Sequence, residues 1–170
     1  KSELERRKQR EIPSLIWLAK EIKVGRAKLA EALEQVRNGN AYRIRYEQKP
    51  SGGKREICAP NELLRKIQRK INKYILRFLL PKSQGNVFGF SGGSIVDAIK
   101  PHLKNRTMLC VDFKDAFPTV TAGHILDFLI MGRIAWMSVR KIKYGRFSWY
   151  AAMILTELST YQERLPQGAP

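Results

Sequence analysis

Carboxylates are scarce in this chain: 15 Asp and Glu stand against 32 Lys and Arg among 170 residues, a formal net charge of +17 at pH 7. Self-repulsion on that scale is normally retained only where a polyanion or an anionic surface offsets it, which places nucleic acid first among partners. Cysteine is nearly missing as well. Cys58 and Cys110 lie far apart in apolar, strand-like contexts with no His/Cys spacing around them, so neither a disulfide framework nor a zinc site is indicated, and a reducing interior fits. Long apolar runs are absent: the stretch near 125–131 is seven residues long and interrupted by Asp127. That is too short to span a bilayer, and no signal peptide opens the chain, so the expectation is a soluble, cytoplasmic protein with no membrane partner. There is no internal repeat and no low-complexity tract. Against these absences, a hydrophobic content of 44% is ordinary and sufficient for one domain with a core.

The positive charge is concentrated early, residues 1–106 holding 25 Lys and Arg against 10 Asp and Glu. Residues 1–11, KSELERRKQRE, have no apolar face and are expected as a solvated arm or a helix extension, with a helix starting at Pro13-Ser14 and buried through Leu15, Ile16, Leu18, Ala19 and Ile22. RAKLAEALEQVRNG gives a second helix with Leu29, Ala32, Leu33 and Val36 on one side and a C-terminal stop at Asn38-Gly39. This pair is either a packed helical hairpin or a DNA-reading helix-turn-helix. The period then changes to two: AYRIRYEQK and KREICAP flank the turn residues Pro50-Ser51-Gly52-Gly53, predicting a basic β-hairpin that carries Arg43, Arg45, Lys49, Lys54 and Arg55. Asn61 can cap the next helix, NELLRKIQRKINKYILRFLL, which Pro81 ends. Leu63, Leu64, Ile67, Ile71, Tyr74, Ile75 and Phe78 fall on its apolar face, while Lys66, Arg69, Lys70, Lys73 and Arg77 form a basic face. That face is either simply solvated or tracks phosphates.

In VFGFSGGSIVDAIKPHL, Gly89, Gly92 and Gly93 surround Phe90 ahead of a helix capped by Ser94. The turn lacks the Lys-Ser/Thr of a nucleotide P-loop. MLCVDFKDAFPTV follows, where Met108 to Val111 have the composition of a central strand buried on both faces and Asp112 stands where it emerges. On residue chemistry alone Asp112 caps the following turn and Asp115 is solvated; the alternative is that a carboxylate fixed at a strand end suits a magnesium ion, which takes hard oxygen ligands. ILDFLIMGRIAWMSV predicts a mostly apolar helix, residues 140–164 a basic, aromatic loop and a further helix, and the chain ends at LPQGAP.

Several of these blocks, in this order, resemble those of prokaryotic reverse transcriptases of the retron and group II intron type. PSGGKREICAP with NELLRKIQRKI is similar to the family's finger hairpin and following helix, VFGFSGGSIVDAI to its Gly-Phe and Gly-x-Ser block, VDFKDAFPTV to the catalytic palm strand, and LPQGAP to the block before the palm's next hairpin. The resemblance covers about residues 41–170.

It implies an α/β (α+β) fold, the fingers and partial palm of a right-hand polymerase behind an N-terminal helical segment. Residues 1–40 would be that segment, 41–106 the fingers, 107–120 the catalytic palm strand, 121–164 a mostly helical return to the fingers, and 165–170 the start of the LPQG block. The implied activity is RNA-directed DNA synthesis with two Mg²⁺ ions in the complete enzyme. Asp112 would be the catalytic, metal-binding carboxylate, joined by the Phe113 carbonyl. Backbone amides around Asp115 and Ala116 would seat the triphosphate, Phe117 would be the steric gate against a ribose 2′-hydroxyl, Arg55 with Lys49 or Lys54 would grip phosphates, and Gln167 would line the nucleotide pocket. Arg43, Arg45, Lys66, Arg69, Lys70, Lys73 and Arg77 would hold an RNA template and primer, or an RNA–DNA duplex, through phosphates. The family often has a bulkier residue where Ala116 stands. Its Tyr-x-Asp-Asp hairpin is not within these residues, so the expected partners include a dNTP and the remainder of a polymerase, palm hairpin and thumb. The alternative is a non-catalytic RNA-binding module, such as the RNA-anchoring part of an intron maturase.

Overall fold

A computed structural model describes residues 3–50, 52–77, 94–114, 116–140 and 148–169, with side chains from residue 11 onward except those of 132–140. It divides the chain into two compact units, one of Lys1–Leu79 with Asp115–Pro170 and one of Leu80–Lys114. Helices joined to one small antiparallel sheet make the described residues an α+β assembly.

In the first unit α1 (Glu3–Glu21) begins well before Pro13 and runs through it, so the charged opening is the helix extension that was one of its two expected forms, while no helix starts at Pro13-Ser14. Its charge has a structural use, because Glu11 is buried against Arg37. Helix α2 (Arg26–Arg37) has the expected span, buries Leu29, Ala32 and Leu33, and stops at Asn38 before Gly39 at φ +74°. Between them Val24 N donates to Ala19 O at 2.9 Å and Lys23 N to Lys20 O at 3.2 Å, a Schellman-type ending that puts Lys23 at φ +54°.

Strands β1 (Tyr42–Gln48) and β2 (Lys54–Pro60) pair antiparallel from Tyr42↔Pro60 to Gln48↔Lys54. Gly52 and Gly53, at φ +85° and +82°, close the turn in a region that L side chains avoid. Helix α3 (Glu62–Ile71) is capped by the Asn61 side chain, which accepts from Leu64 N at 2.9 Å, and Leu64, Ile67 and Ile71 are buried as their spacing requires. A π-helical turn over Asn72–Leu76 follows and buries Ile75. Phe78 and Pro81 lie outside the described residues.

With α4 (Ile95–Ile99) belonging to the other unit, a four-residue α5 (Ala116–Thr119), then α6 (Ala122–Arg140) and α7 (Trp149–Ser159), complete this one. Helix α7 is the hub, packing against α1, α2, α3 and α6. Ile154, Leu155 and Leu158 share one core with Leu18, Ile22, Leu29, Leu33, Leu64, Ile67 and Leu129. Each such side chain contributes about 1.5–3 kcal/mol. Gln68 ties the hairpin to this core, its amide nitrogen donating to Tyr42 Oη at 2.8 Å and Leu158 O at 2.9 Å. Burial pushes the Tyr42 phenol up to about 12. Arg37 fastens three helices, donating to Glu157 at 2.6 Å and Glu11 at 3.0 Å. The hydrogen bonds to Glu157 hold the guanidinium pKa above its ordinary value.

In the second unit α4 (Ile95–Ile99) opens with a capping box, Ser94 Oγ accepting from Asp97 N at 3.1 Å and Asp97 accepting from Ser94 N at 3.2 Å. A 3₁₀ turn over Lys100–His102 follows, and the chain is irregular from there to 114. The buried strand expected over Met108–Val111 is not formed. Leu109, Val111 and Phe113 are 86%, 76% and 82% exposed. A strand exists only through hydrogen bonds to a neighbour, and among the described residues the one sheet is the β1–β2 hairpin. Gly89, Phe90, Gly92 and Gly93 lie outside the described residues.

Candidate functional site

The site is built on β2. Cys58 N donates to Gln167 O at 2.9 Å, so the LPQG segment lies along β2. Gly168 makes this approach possible: at φ +98° a Cβ would come within 2.7 Å of Ile57 Cγ2. The result is a cleft of about 470 Å³ in the first unit, lined by Lys49, Lys54 and Arg55 of the hairpin and its flanks and by Arg164 and Gln167 of the C-terminal segment. Pro118, beside Phe117 in α5, also lines it.

Its electrostatics are one-sided. Among the described residues no carboxylate pairs with Lys49, Lys54, Arg55 or Arg164. Glu56 is the single acidic lining residue, and it already accepts from Tyr46 Oη at 3.2 Å and from Cys58 Sγ at 3.6 Å. Burial, followed by the hydrogen bond to Glu56, pushes the Cys58 thiol up to about 11, so it is neutral and not a nucleophile near pH 7. A compact cleft lined by unpaired cations and an amide is suited to a phosphorylated small molecule.

The wall carrying Arg164 is a tight turn. Tyr161 N donates to Arg164 O at 2.9 Å and Arg164 N to Tyr161 O at 3.1 Å, around Gln162 and Glu163 at φ +48° and +63°. Two consecutive left-handed residues are those of a type I′ hairpin turn, where Asn-Gly is preferred, and each non-glycine there costs about 1–2 kcal/mol. The turn is bound on its far side too, Ala122 N donating to Glu163 O at 2.8 Å and Leu165 N to Val120 O at 2.9 Å. Sequence reasoning missed Arg164; its signal was a lone arginine two residues ahead of the proline of LPQG.

Lys49, Lys54, Arg55 and Gln167 are brought together. Ala116 and Phe117 belong to α5, with Phe117 42% exposed, while Asp115 lies outside the described residues. Asp112 and Phe113 are exposed in the irregular stretch of the second unit. Magnesium takes one or two carboxylates with phosphate oxygens and water. Asp112 is a single carboxylate, and among the described residues no group of three or more His, Cys, Asp or Glu gathers. The described residues alone therefore do not fit a resident magnesium ion.

On α3, Lys66 pairs with Glu62 at 2.6 Å and Lys70 donates to Lys23 O at 2.5 Å, so two of the basic-face residues have structural partners. Lys73 lies 5.4 Å from the Tyr74 ring, and Arg69, Lys73 and Arg77 remain exposed. On the hairpin Arg43 is exposed and Arg45 pairs with Glu47 at 3.1 Å. Among the described residues no helix is long and apolar enough to cross a membrane.

No family model matches the chain. Among curated proteins it is similar to the Retron Mx65 reverse transcriptase of Myxococcus xanthus, 32% identical over 118 residues, which is 69% of this chain and 24% of the relative. It is 29% identical over 134 residues to the Retron Ec86 reverse transcriptase of Escherichia coli, covering 76% of this chain and 37% of that protein. The Retron Se72 reverse transcriptase of Salmonella heidelberg matches at 29% over 115 residues, 67% and 27% of the two chains. The chain thus spans between 24% and 37% of the length of these relatives. Over about 70% of its own residues it is similar to retron reverse transcriptases.

Proposed function

We propose that the chain supplies the nucleotide-gripping fingers of an RNA-directed DNA polymerase of the retron kind. The observation that carries this reading is the convergence of Lys49, Lys54, Arg55 and Gln167 on one cleft whose cations have no carboxylate partners among the described residues. The three basic side chains bind the triphosphate of an incoming dNTP, aided by backbone amides of Asp115 and Ala116. Gln167 lines the nucleoside, and Phe117 excludes a ribose 2′-hydroxyl. Asp112 and the Phe113 carbonyl would be the chain's contribution to a magnesium site that needs more oxygen ligands than the described residues bring together. Arg43, Arg45 and the α3 face hold template and primer through phosphates, contacts that fix position and carry no sequence information.

Titration of a dNTP into the full chain in EDTA tests the cation grip without metal. Charge-assisted hydrogen bonds are worth about 1.5–3 kcal/mol, so Lys54→Ala and Arg55→Ala should each weaken binding about tenfold to a hundredfold. Triphosphate affinity indifferent to both substitutions overturns the reading.

The exposed stripe Arg69, Lys73 and Arg77 favours a second reading, a non-catalytic RNA-binding module. It predicts RNA affinity with no triphosphate binding in the same titration.

A further inference from the structure

We propose that Arg164 is a phosphate-binding residue of the cleft, so that a nucleoside triphosphate is held from two walls, Lys49, Lys54 and Arg55 on the hairpin and Arg164 on the Tyr161–Arg164 turn. This deepens the nucleotide reading given above and rests on it. Three observations carry the added residue. Arg164 lines the same cleft as the hairpin cations, from a different element of the chain. Among the described residues it has no carboxylate partner, although Glu163 is its neighbour in sequence. Its backbone is fixed on both sides, paired with Tyr161 across the turn and bridged to Thr121.

The turn itself argues against an incidental surface arginine. Gln162 and Glu163 adopt backbone angles that glycine or asparagine would take more easily. Strain retained in a tightly bonded turn is characteristic of segments that must present a side chain in one place. A guanidinium so mounted offers a planar fork of donors that engages two phosphate oxygens at once, which an ammonium does not. The hairpin lysines neutralise charge; Arg164 adds orientation. The cleft volume of about 470 Å³ is that of a small-molecule site, which favours a free nucleotide over a nucleic-acid backbone as the source of the phosphates.

The test is a titration of the full chain in EDTA with dATP, dAMP and a short single-stranded RNA, for wild type, Arg164→Ala, Arg164→Lys and Arg55→Ala. Arg164→Ala should weaken dATP about tenfold and dAMP much less, with Arg164→Lys recovering only part of the loss. Because the Arg164 side chain is exposed and its backbone bonds survive the change, an unaltered melting curve is expected, and amide chemical shifts of Gln162 and Leu165 on adding dATP give a second readout. If Arg55→Ala weakens dATP and Arg164→Ala leaves it within twofold, this inference fails while the nucleotide site stands. If neither matters, both fail. A loss confined to RNA also overturns it, assigning Arg164 to the nucleic-acid backbone.

Discussion

At position 168 two constraints coincide, a backbone at φ +98° and a neighbour, Ile57 Cγ2, 2.7 Å from where a Cβ would stand. Either alone favours glycine; together they make Gly168→Ala a change that lifts the LPQG segment off β2. The expected cost is about 1–3 kcal/mol of stability, the range for overpacking, read in a denaturant melt. Triphosphate affinity should fall with it, since Gln167 is displaced from the cleft, and a variant with wild-type stability and affinity would contradict the close packing. The two cysteines give a residue-scale prediction about pH. Cys110 is exposed and Cys58 buried beside Glu56, with its thiol raised to about 11 from an ordinary value near 9. The folded state thus favours the protonated form of Cys58. The stability linked to it is complete below pH 9 and declines as pH rises toward 11. Iodoacetamide near pH 8 should therefore label Cys110 first and leave Cys58 largely unmodified, as peptide mass mapping would show; rapid labelling of Cys58 would refute its environment.

The turn Tyr161–Arg164 yields an element-scale expectation. Asn at 162 and Gly at 163 suit its left-handed backbone, so the double variant Gln162→Asn, Glu163→Gly should raise stability by about 1–2 kcal/mol, seen as a higher unfolding midpoint. Unchanged or lower stability would mean that the existing side chains offset the strain. Such a turn was not legible in the sequence, because Gln-Glu carries none of the usual hairpin signals. What was legible rests on local chemistry: the period-two alternation and Gly52-Gly53 of the hairpin, the Asn61 cap, the stop at Asn38-Gly39. Two readings failed where the deciding interaction is distant in sequence. Pro13 reads as a helix start, yet α1 extends back to Glu3 and Glu11 is drawn onto Arg37 of α2. Met108–Val111 reads as a buried strand, yet apolar composition cannot supply the neighbouring strand that a ladder requires. The candidate cleft was half legible for the same reason, its hairpin residues and Gln167 coming from recognisable blocks and Arg164 only from three-dimensional proximity.

At the scale of the whole molecule the charge of +17 has to be divided between residues that already have partners and residues that do not. Arg37 is held by Glu11 and Glu157, Lys66 by Glu62, Lys100 by Asp97 and Arg45 by Glu47. Arg69, Lys73 and Arg77 stay exposed along α3 and the turn that follows it, and they form one stripe available to condense on a phosphate backbone. If single-stranded RNA is neutralised by about three such contacts, the logarithm of its association constant should fall with the logarithm of salt concentration at a slope near −2, about 0.7 per phosphate. Removing one contact, as in Arg69→Ala or Lys73→Ala, should make that slope shallower by about 0.7 and weaken binding at low salt far more than at high salt. Fluorescence anisotropy across a salt series measures both. A slope near zero, or one unmoved by either substitution, would place the RNA-binding charge elsewhere, because counterion release counts the phosphates that are actually met.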